Sequence, residues 1–385
     1  MISDKLMKNV LLVFVITIMT CCFFPVNAGA ASDGPVDNYK AEKQRIDQQW
    51  LMMKSQIDDQ WDAMQKAQTE EWERLKAEVE RKWQEYIYST KTDWVDYNQH
   101  KDTRSLVDFK EGNIVFETVV PEGDPKAFEM AKSSIREQAE KVFNEKDITD
   151  NRILENQIID KSGSKLEPGN LEKFLKEEVL PGLKSDPLPF QSRDGIMRRK
   201  YTFQVKMVPN QIQIRAKKYL PIVLKNAERF GLKPHLILAV IHTESSFNPK
   251  AVSSCEALGI MQIIPKFAGR EAFHFLYGLK NPVSKEYLFN PENNIELGSA
   301  YLHLLKSKHF ADVKTDIKNR YVTICGYNWG PTAVRKQILS KHPINKMSDE
   351  EVYLLLRQRA PTETKDYLKM VRERMSFYEN FMIGG

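Results

Sequence analysis

Trp50, Trp61, Trp72, Trp83 and Trp94 recur at intervals of eleven, with Tyr39 one interval earlier, and this spacing leaves the first hundred residues few folds to choose from. Eleven residues close three helical turns at about 3.67 residues per turn, so the rings line one nearly straight helical face. A second register runs through Met53, Met64, Leu75, Tyr86 and Tyr97, and Ile46, Ile57 and Val79 partly fill a third. Glu, Gln, Lys and Asp lie between them, and no Pro or Gly interrupts Tyr39 to Tyr97. The pattern predicts a long amphipathic helix, single or with a subtle bend, of roughly 85–90 Å. Such a stripe needs a partner. Self-association through the 39–97 helix would supply one, and so would folding of the helix across the domain that follows.

Ahead of the repeat, Lys5 and Lys8 precede an apolar run from Val10 to Phe24, and small residues at Val26-Asn27-Ala28 and Ala28-Gly29-Ala30 offer cleavage sites. Residues 1–30 therefore read as an export signal, too short in its apolar part for a bilayer span of about 20 residues. Ile18-Met19-Thr20-Cys21 is an imperfect version of the box before a lipidated cysteine, so the exported chain is expected to be periplasmic, either free or held at the outer membrane as a lipoprotein. No later segment reads as membrane-spanning.

The formal charge is +5, and loss of Lys5 and Lys8 against Asp4 lowers it by one to +4. That excess is small and scattered, so no nucleic-acid partner is expected. Export leaves Cys255 and Cys325, an even pair that an oxidising compartment permits to bridge; a bridge is expected because both flank the chemical motifs described next, with two buried free thiols as the alternative. No Cys/His cluster has metal-ligand spacing and no glycine-rich phosphate loop is present, so neither metal nor cofactor is expected.

From about residue 101 the period changes. Val107 and Phe109, then Ile114, Phe116, Thr118 and Val120, alternate on either side of Lys110-Glu111-Gly112-Asn113 and predict a hairpin. A helix is expected from about Pro125 to Phe143, a strand over Ile153–Ile159 and another over Tyr201–Met207. This small α+β domain has no chemistry of its own and reads as a spacer or platform. Beyond Pro209 the chain turns helical. Ile212 to Phe230 ends at Gly231, and Pro234 opens an apolar helix that runs into Glu244. A carboxyl at the carboxyl end of an apolar helix meets both desolvation and the negative end of the dipole, which raise its pKa as a general acid requires; on position alone, a surface glutamate in a helix-terminal turn is the stronger expectation.

Three further segments stand in order after Glu244-Ser245-Ser246-Phe247-Asn248-Pro249. They are Ala257-Leu258-Gly259-Ile260-Met261-Gln262, Gly326-Tyr327-Asn328-Trp329-Gly330-Pro331 and Thr362-Glu363-Thr364-Lys365-Asp366-Tyr367. Together they resemble the ordered motifs of lytic murein transglycosylases of the soluble-lytic-transglycosylase type, over about residues 210–380. Thr103-Arg104-Ser105 with its hairpin, and Val205-Lys206-Met207-Val208-Pro209-Asn210, resemble a membrane-bound branch of that family and extend the likeness to about residue 95, short of the tryptophan repeat. The departures are Ile260 for Leu, Gly326 for Ala, and Trp329 where the family has a small residue.

The resemblance implies a mainly α chain. Its expected parts are a signal (1–30), the long helix (31–98), an α+β domain (99–208) and a lysozyme-like helical catalytic domain (209–385). It implies Glu244 as the one catalytic acid and base, with Ser253, Met261, Gln262, Tyr327, Asn328, Glu363 and Tyr367 contacting substrate. For Met261 ordinary core packing is an equal expectation. The partner implied is the peptidoglycan glycan strand, cleaved between N-acetylmuramic acid and N-acetylglucosamine with closure of a 1,6-anhydro ring in cell-wall remodelling. A goose-type lysozyme-like hydrolase and a non-catalytic wall-binding scaffold are the alternatives. Glu256, Glu271 and Glu363 are the acids from which a hydrolase would draw its second carboxylate, and the repeat tryptophans could then stack on sugar rings, although aromatics at helical spacing ordinarily form core.

Overall fold

The computed structural model describes residues 35–279 and 283–383, which form two units, 1–68 and 69–385. The signal, Cys21 and Cys22 lie outside the described residues. So do the side chains of Tyr39, Trp50, Met53, Ile57, Trp61 and Met64 from the repeat. Helix α1 spans Pro35–Lys82. In the first unit Arg45 and Glu42 pair one turn apart at 2.7 Å on its surface, and Ile46 is exposed.

In the second unit the helix ends at Lys82, well short of Tyr97. The repeat keeps its spacing, but Trp94 and Tyr97 belong to a strand. Tertiary contacts end the helix: the Trp83 indole donates to the Lys101 carbonyl at 2.8 Å and the Lys82 ammonium to that of His100 at 2.6 Å. Val79 and Trp83 are buried against Val119, and the Arg104 guanidinium lies 4.1 Å from the Trp83 ring centroid. These members of the stripe are therefore covered by the following domain.

That domain is an antiparallel sheet in the order β1-β2-β3-β6-β4, with β5 also on β6. Its strands are β1 (Asp93–Tyr97), β2 (Thr103–Asp108), β3 (Asn113–Pro121), β4 (Lys184–Ser185), β5 (Phe190–Gln191) and β6 (Met197–Lys206). The expected hairpin is β2–β3, and β3 registers with β6 so that Phe116 faces Phe203 and Ile114 faces Val205. Helix α2 (Ala127–Asn144) packs Ile135, Val142 and Phe143 onto that face, beside the short α3 (Leu171–Phe174). The strand expected over Ile153–Ile159 is absent. Ile153, Leu154 and Ile158 are buried, but Asn156 takes φ +60° and the Gln157 amide folds back to the Ile153 carbonyl at 2.8 Å, neither of which an extended strand permits.

The helical part begins at α4 (Gln211–Phe230), which Gly231 ends at φ +61°, and continues as α5 (Pro234–Ser245), with Pro234 in its first turn. Helix α5 is buried nearly all round. Around it stand α6 (Arg270–Tyr277), α7 (Lys285–Phe289), α8 (Pro291–Leu304), α9 (Asp316–Trp329), α10 (Pro331–Val334), α11 (Asp349–Arg359) and α12 (Thr362–Ile383). Asn290 caps α8, Thr315 caps α9, and Ser348 with Glu351 forms a capping box on α11.

The α+β and helical parts meet through buried polar bonds. Arg215, 2% exposed, donates to the Phe109 carbonyl (2.6 Å), the Gln157 side chain (2.5 Å) and the Ser246 carbonyl (3.1 Å). Lys218 pairs with Asp147 at 2.9 Å and Lys250 with Glu145 at 2.6 Å. No helix among the described residues is long and apolar enough to cross a membrane.

Candidate active site

Glu244 lies in the last turn of α5, 8% exposed. Among the described residues the only other buried carboxyl is Asp147, and Lys218 neutralises that one. Glu244 has no such cation in contact. Burial pushes its pKa up to about 7, and the charge of Glu363 adds to the rise. The Tyr367 hydroxyl and the more distant Lys91 oppose it. The Tyr367 contact falls short of a well-formed hydrogen bond, and that hydroxyl, though buried, has no other partner.

After Glu244 the chain must reverse. Ser246 and Phe247 take φ +52° and +64°, and the Ser245 hydroxyl donates to the Ile260 carbonyl at 2.7 Å, fixing the helix end to the Gly259–Gln262 turn. That turn sits on α8: Asn294 donates to the Leu258 and Leu288 carbonyls at 2.9 and 2.8 Å and accepts from the Met261 N–H at 2.8 Å. A Cβ at Gly259, φ +72°, would lie 2.3 Å from the Leu288 carbonyl oxygen, so only glycine lets the backbone approach this closely.

The structure brings most of the expected residues together. Met261 is fully buried, its sulfur seated where a Cβ at Gly298 would be, so its side chain is core. Its carbonyl accepts a 2.8 Å bond from the Tyr327 hydroxyl, whose ring lies close enough to Glu244 to feel its charge. Gln262, at φ +51°, donates to the Gly259 carbonyl at 3.0 Å and keeps its buried Oε1 unpartnered. Asn328 accepts from Thr364 at 2.7 Å, tying α9 to α12. Glu363 is exposed. Ser253 stands apart from these bonds: its Oγ accepts from the Cys255 and Ala257 N–H groups at 3.2 and 3.0 Å and shapes a surface turn. Glu271 is engaged elsewhere, 2.8 Å from His309 and 3.5 Å from Lys308.

One expectation changes. Cys255 is exposed in its turn and Cys325 is buried on α9 against the core, both as free thiols, so no bridge joins them. Gly326, where the family motif has Ala, faces the Phe310 ring, 2.6 Å from where a Cβ would stand. Sequence reasoning missed Asn294, whose only signal is a polar residue on an apolar helical face, and Thr364, inside a motif already noted. It also missed the loop before β1. Thr90 accepts from the Val252 N–H at 3.3 Å and Lys91 from the Asn248 side chain at 3.4 Å, so the α+β domain forms part of the wall of the site.

The chain matches the family described as transglycosylase SLT domain over residues 221–347. It also matches the membrane-bound lytic murein transglycosylase C N-terminal domain family over residues 39–167, which reaches back across the tryptophan repeat. It is 32% identical over 299 residues to membrane-bound lytic murein transglycosylase C of Pectobacterium atrosepticum, covering 74% of this chain and 82% of that protein. The protein of the same name from Serratia proteamaculans is 31% identical over 302 residues, covering 74% and 81%. Among solved structures, the lytic transglycosylase Slt of Pseudomonas aeruginosa is similar to it at 25% identity and a TM-score of 0.35, covering 42% of this chain and 24% of that one, about a quarter of its length.

Proposed function

The chain belongs to the membrane-bound lytic murein transglycosylase C family and is a lytic transglycosylase, and on that premise we propose that it cleaves the β-1,4 bond between N-acetylmuramic acid and N-acetylglucosamine, forming 1,6-anhydromuramic acid in cell-wall remodelling. The observation that carries this reading is Glu244, the single unpaired buried carboxyl among the described residues, its pKa pushed up to about 7 by burial. It gives its proton to the glycosidic oxygen as positive charge develops at the muramyl anomeric carbon. The carboxylate left behind then takes the proton of the muramyl C6 hydroxyl, whose oxygen attacks that carbon and closes the ring. The proton count balances on one residue and no water is consumed.

The other groups orient the sugar. Gln262 Oε1 and the Tyr367 hydroxyl, both buried without a full partner, are satisfied by substrate hydroxyl and amide groups. Asn328 and Tyr327 hold the wall beside the acid, and the exposed Glu363 and the half-buried Ser253 meet the strand farther out. Export to the periplasm and association with the outer membrane fit the membrane-bound relatives.

Mass spectrometry of purified sacculi digested by the mature chain tests the chemistry. Muropeptides lighter by one water, as the anhydro form requires, support it. Products with free reducing ends move the enzyme to the hydrolase reading.

A further inference from the structure

From the last turns of α1 through β1 the chain carries aromatic rings that the core does not use up. Tyr97 is fixed, its hydroxyl donating to the Ile87 carbonyl at 3.0 Å and accepting from the Ile87 N–H at 3.2 Å. Tyr86 stacks on Tyr97 with planes 15° apart and on Tyr88 with planes 27° apart, and meets the Trp72 ring edge-on at 5.8 Å. At the ends of this group Tyr88 is 57% and Trp72 40% exposed, the Lys76 ammonium lying 5.3 Å from the Trp72 centroid. The Tyr88 side chain makes no hydrogen bond among the described residues. A lone exposed aromatic needs no explanation; two exposed rings braced on a third that is itself anchored are costly to leave facing water.

Their place in the chain says what covers them. Tyr88 is three residues from Lys91, at most about 11 Å along an extended backbone. Thr90 and Lys91 are bonded to the loop that follows Glu244, and Lys91 is close enough to act on its charge. Through the Tyr86 ring the group reaches back to Trp72 on α1, so it adjoins the wall that Thr90 and Lys91 add to the cleft. A ligand continuous with the cleft and presenting flat apolar faces is a polysaccharide, whose pyranose C–H faces stack on aromatic rings while its hydroxyls stay in water.

We propose that Trp72, Tyr86 and Tyr88 form an accessory platform that stacks a pyranose ring of the same glycan strand whose bond lies at Glu244, extending the cleft beyond the catalytic subsites. This rests on the cleft being a glycan site. The platform is braced before ligand arrives, so little ordering cost opposes binding. It favours long strands over short ones, because only a long strand reaches both places.

The test uses the full mature chain and its Tyr88→Ala, Trp72→Ala and Tyr88→Phe variants on long peptidoglycan strands and on a tetrasaccharide of the same repeat, counting cleaved bonds. Tyr88→Ala lowers kcat/KM on long strands by about tenfold through KM, equivalent to about 1.4 kcal/mol, and leaves the tetrasaccharide unchanged. Tyr88→Phe, which keeps the ring, behaves as wild type on both. Equal loss on both lengths, or no loss on either, overturns the proposal. So does a concentration-dependent dimer in light scattering that Tyr88→Ala abolishes, which would assign the platform to a second copy. The ratio between lengths does not depend on which product forms. If the wild type cleaves neither substrate the proposed function fails, and retention of long strands by Glu244→Gln, with and without Tyr88→Ala, still decides for or against the platform.

Discussion

At the scale of the residue, Glu244 has to be neutral to act and buried to be neutral. Its folded pKa of about 7 stands above the ordinary 4.5, so the folded chain holds this proton more tightly than the unfolded one. The contribution of this group to stability is therefore fully present below pH 4.5, declines as pH rises from there to about 7, and stays low above it. Replacing Glu244 with Gln keeps the shape and removes the charge. Two outcomes are expected. Turnover falls by roughly 10²–10⁴-fold, and the melting temperature of the variant exceeds that of wild type at pH 8 by the equivalent of up to about 3 kcal/mol, the gap closing by pH 4.5. Wild-type kcat/KM should fall as pH rises through about 7. Melting curves and rates across pH 4–9 check all three; a variant no more stable than wild type at pH 8 would mean that the carboxylate is solvated and not buried. The burial of this residue was legible in the sequence only with the ordered motifs downstream, since an apolar helix opened by Pro234 and ended by a carboxyl fits a surface glutamate in a helix-terminal turn as well. The role of Met261 was not, because a methionine beside a glutamine proposed to contact substrate serves core and cleft equally until Gly298 is seen beneath its sulfur.

Among the elements, period decided what could be read. The β2–β3 hairpin, β6, α4 and α5 follow from alternation of two or three to four residues with turn residues at their ends, and the structure has them where the pattern puts them. The same rule overreached in α1, because the eleven-residue spacing continues through Trp83 and Trp94 after the helix has stopped. What stops it lies far along the chain: Lys101 receives the Trp83 indole, and the Lys250 ammonium sits 5.7 Å from the Trp94 ring centroid, partners no local pattern contains. Arg215 is the same case in reverse, an ordinary-looking position on α4 whose guanidinium ends three separate segments. Arg215→Ala would leave the Phe109 and Ser246 carbonyls and the Gln157 side chain buried without their donor. Removal of a buried hydrogen-bonded charge of this kind costs roughly 3 kcal/mol or more. Because one of the three carbonyls belongs to the turn after Glu244, activity measured well below the melting temperature should fall as well. A melting temperature within a degree of wild type would show that water replaces the guanidinium.

For the whole molecule, the secondary structure changes at residue 209, and Arg215, Lys218 and Lys250 bond the parts on either side to each other. Residues 69–385 form one unit, and the α+β domain adds Thr90 and Lys91 to the wall beside Glu244, so a platform is the better of the two roles its sequence suggested. Truncation separates the two kinds of boundary. A chain starting at residue 69 keeps Trp72, Val79, Trp83 and Trp94, loses only residues of the first unit, and should melt within a few degrees of the mature protein with its tetrasaccharide activity intact. A chain starting at residue 99 loses Val79, Trp83 and Trp94 from buried positions. Each large side chain taken out of a core in this way costs about 3–5 kcal/mol, against a total stability on the order of 5–15 kcal/mol. The shorter chain should therefore be unfolded or nearly so at 37 °C, and β2 would be left with an uncovered edge that invites aggregation. Circular dichroism melts and size-exclusion profiles of the two truncations, run beside tetrasaccharide cleavage, check this. A chain starting at residue 99 that melts cooperatively and cleaves at the wild-type rate would put the boundary back where the sequence alone drew it.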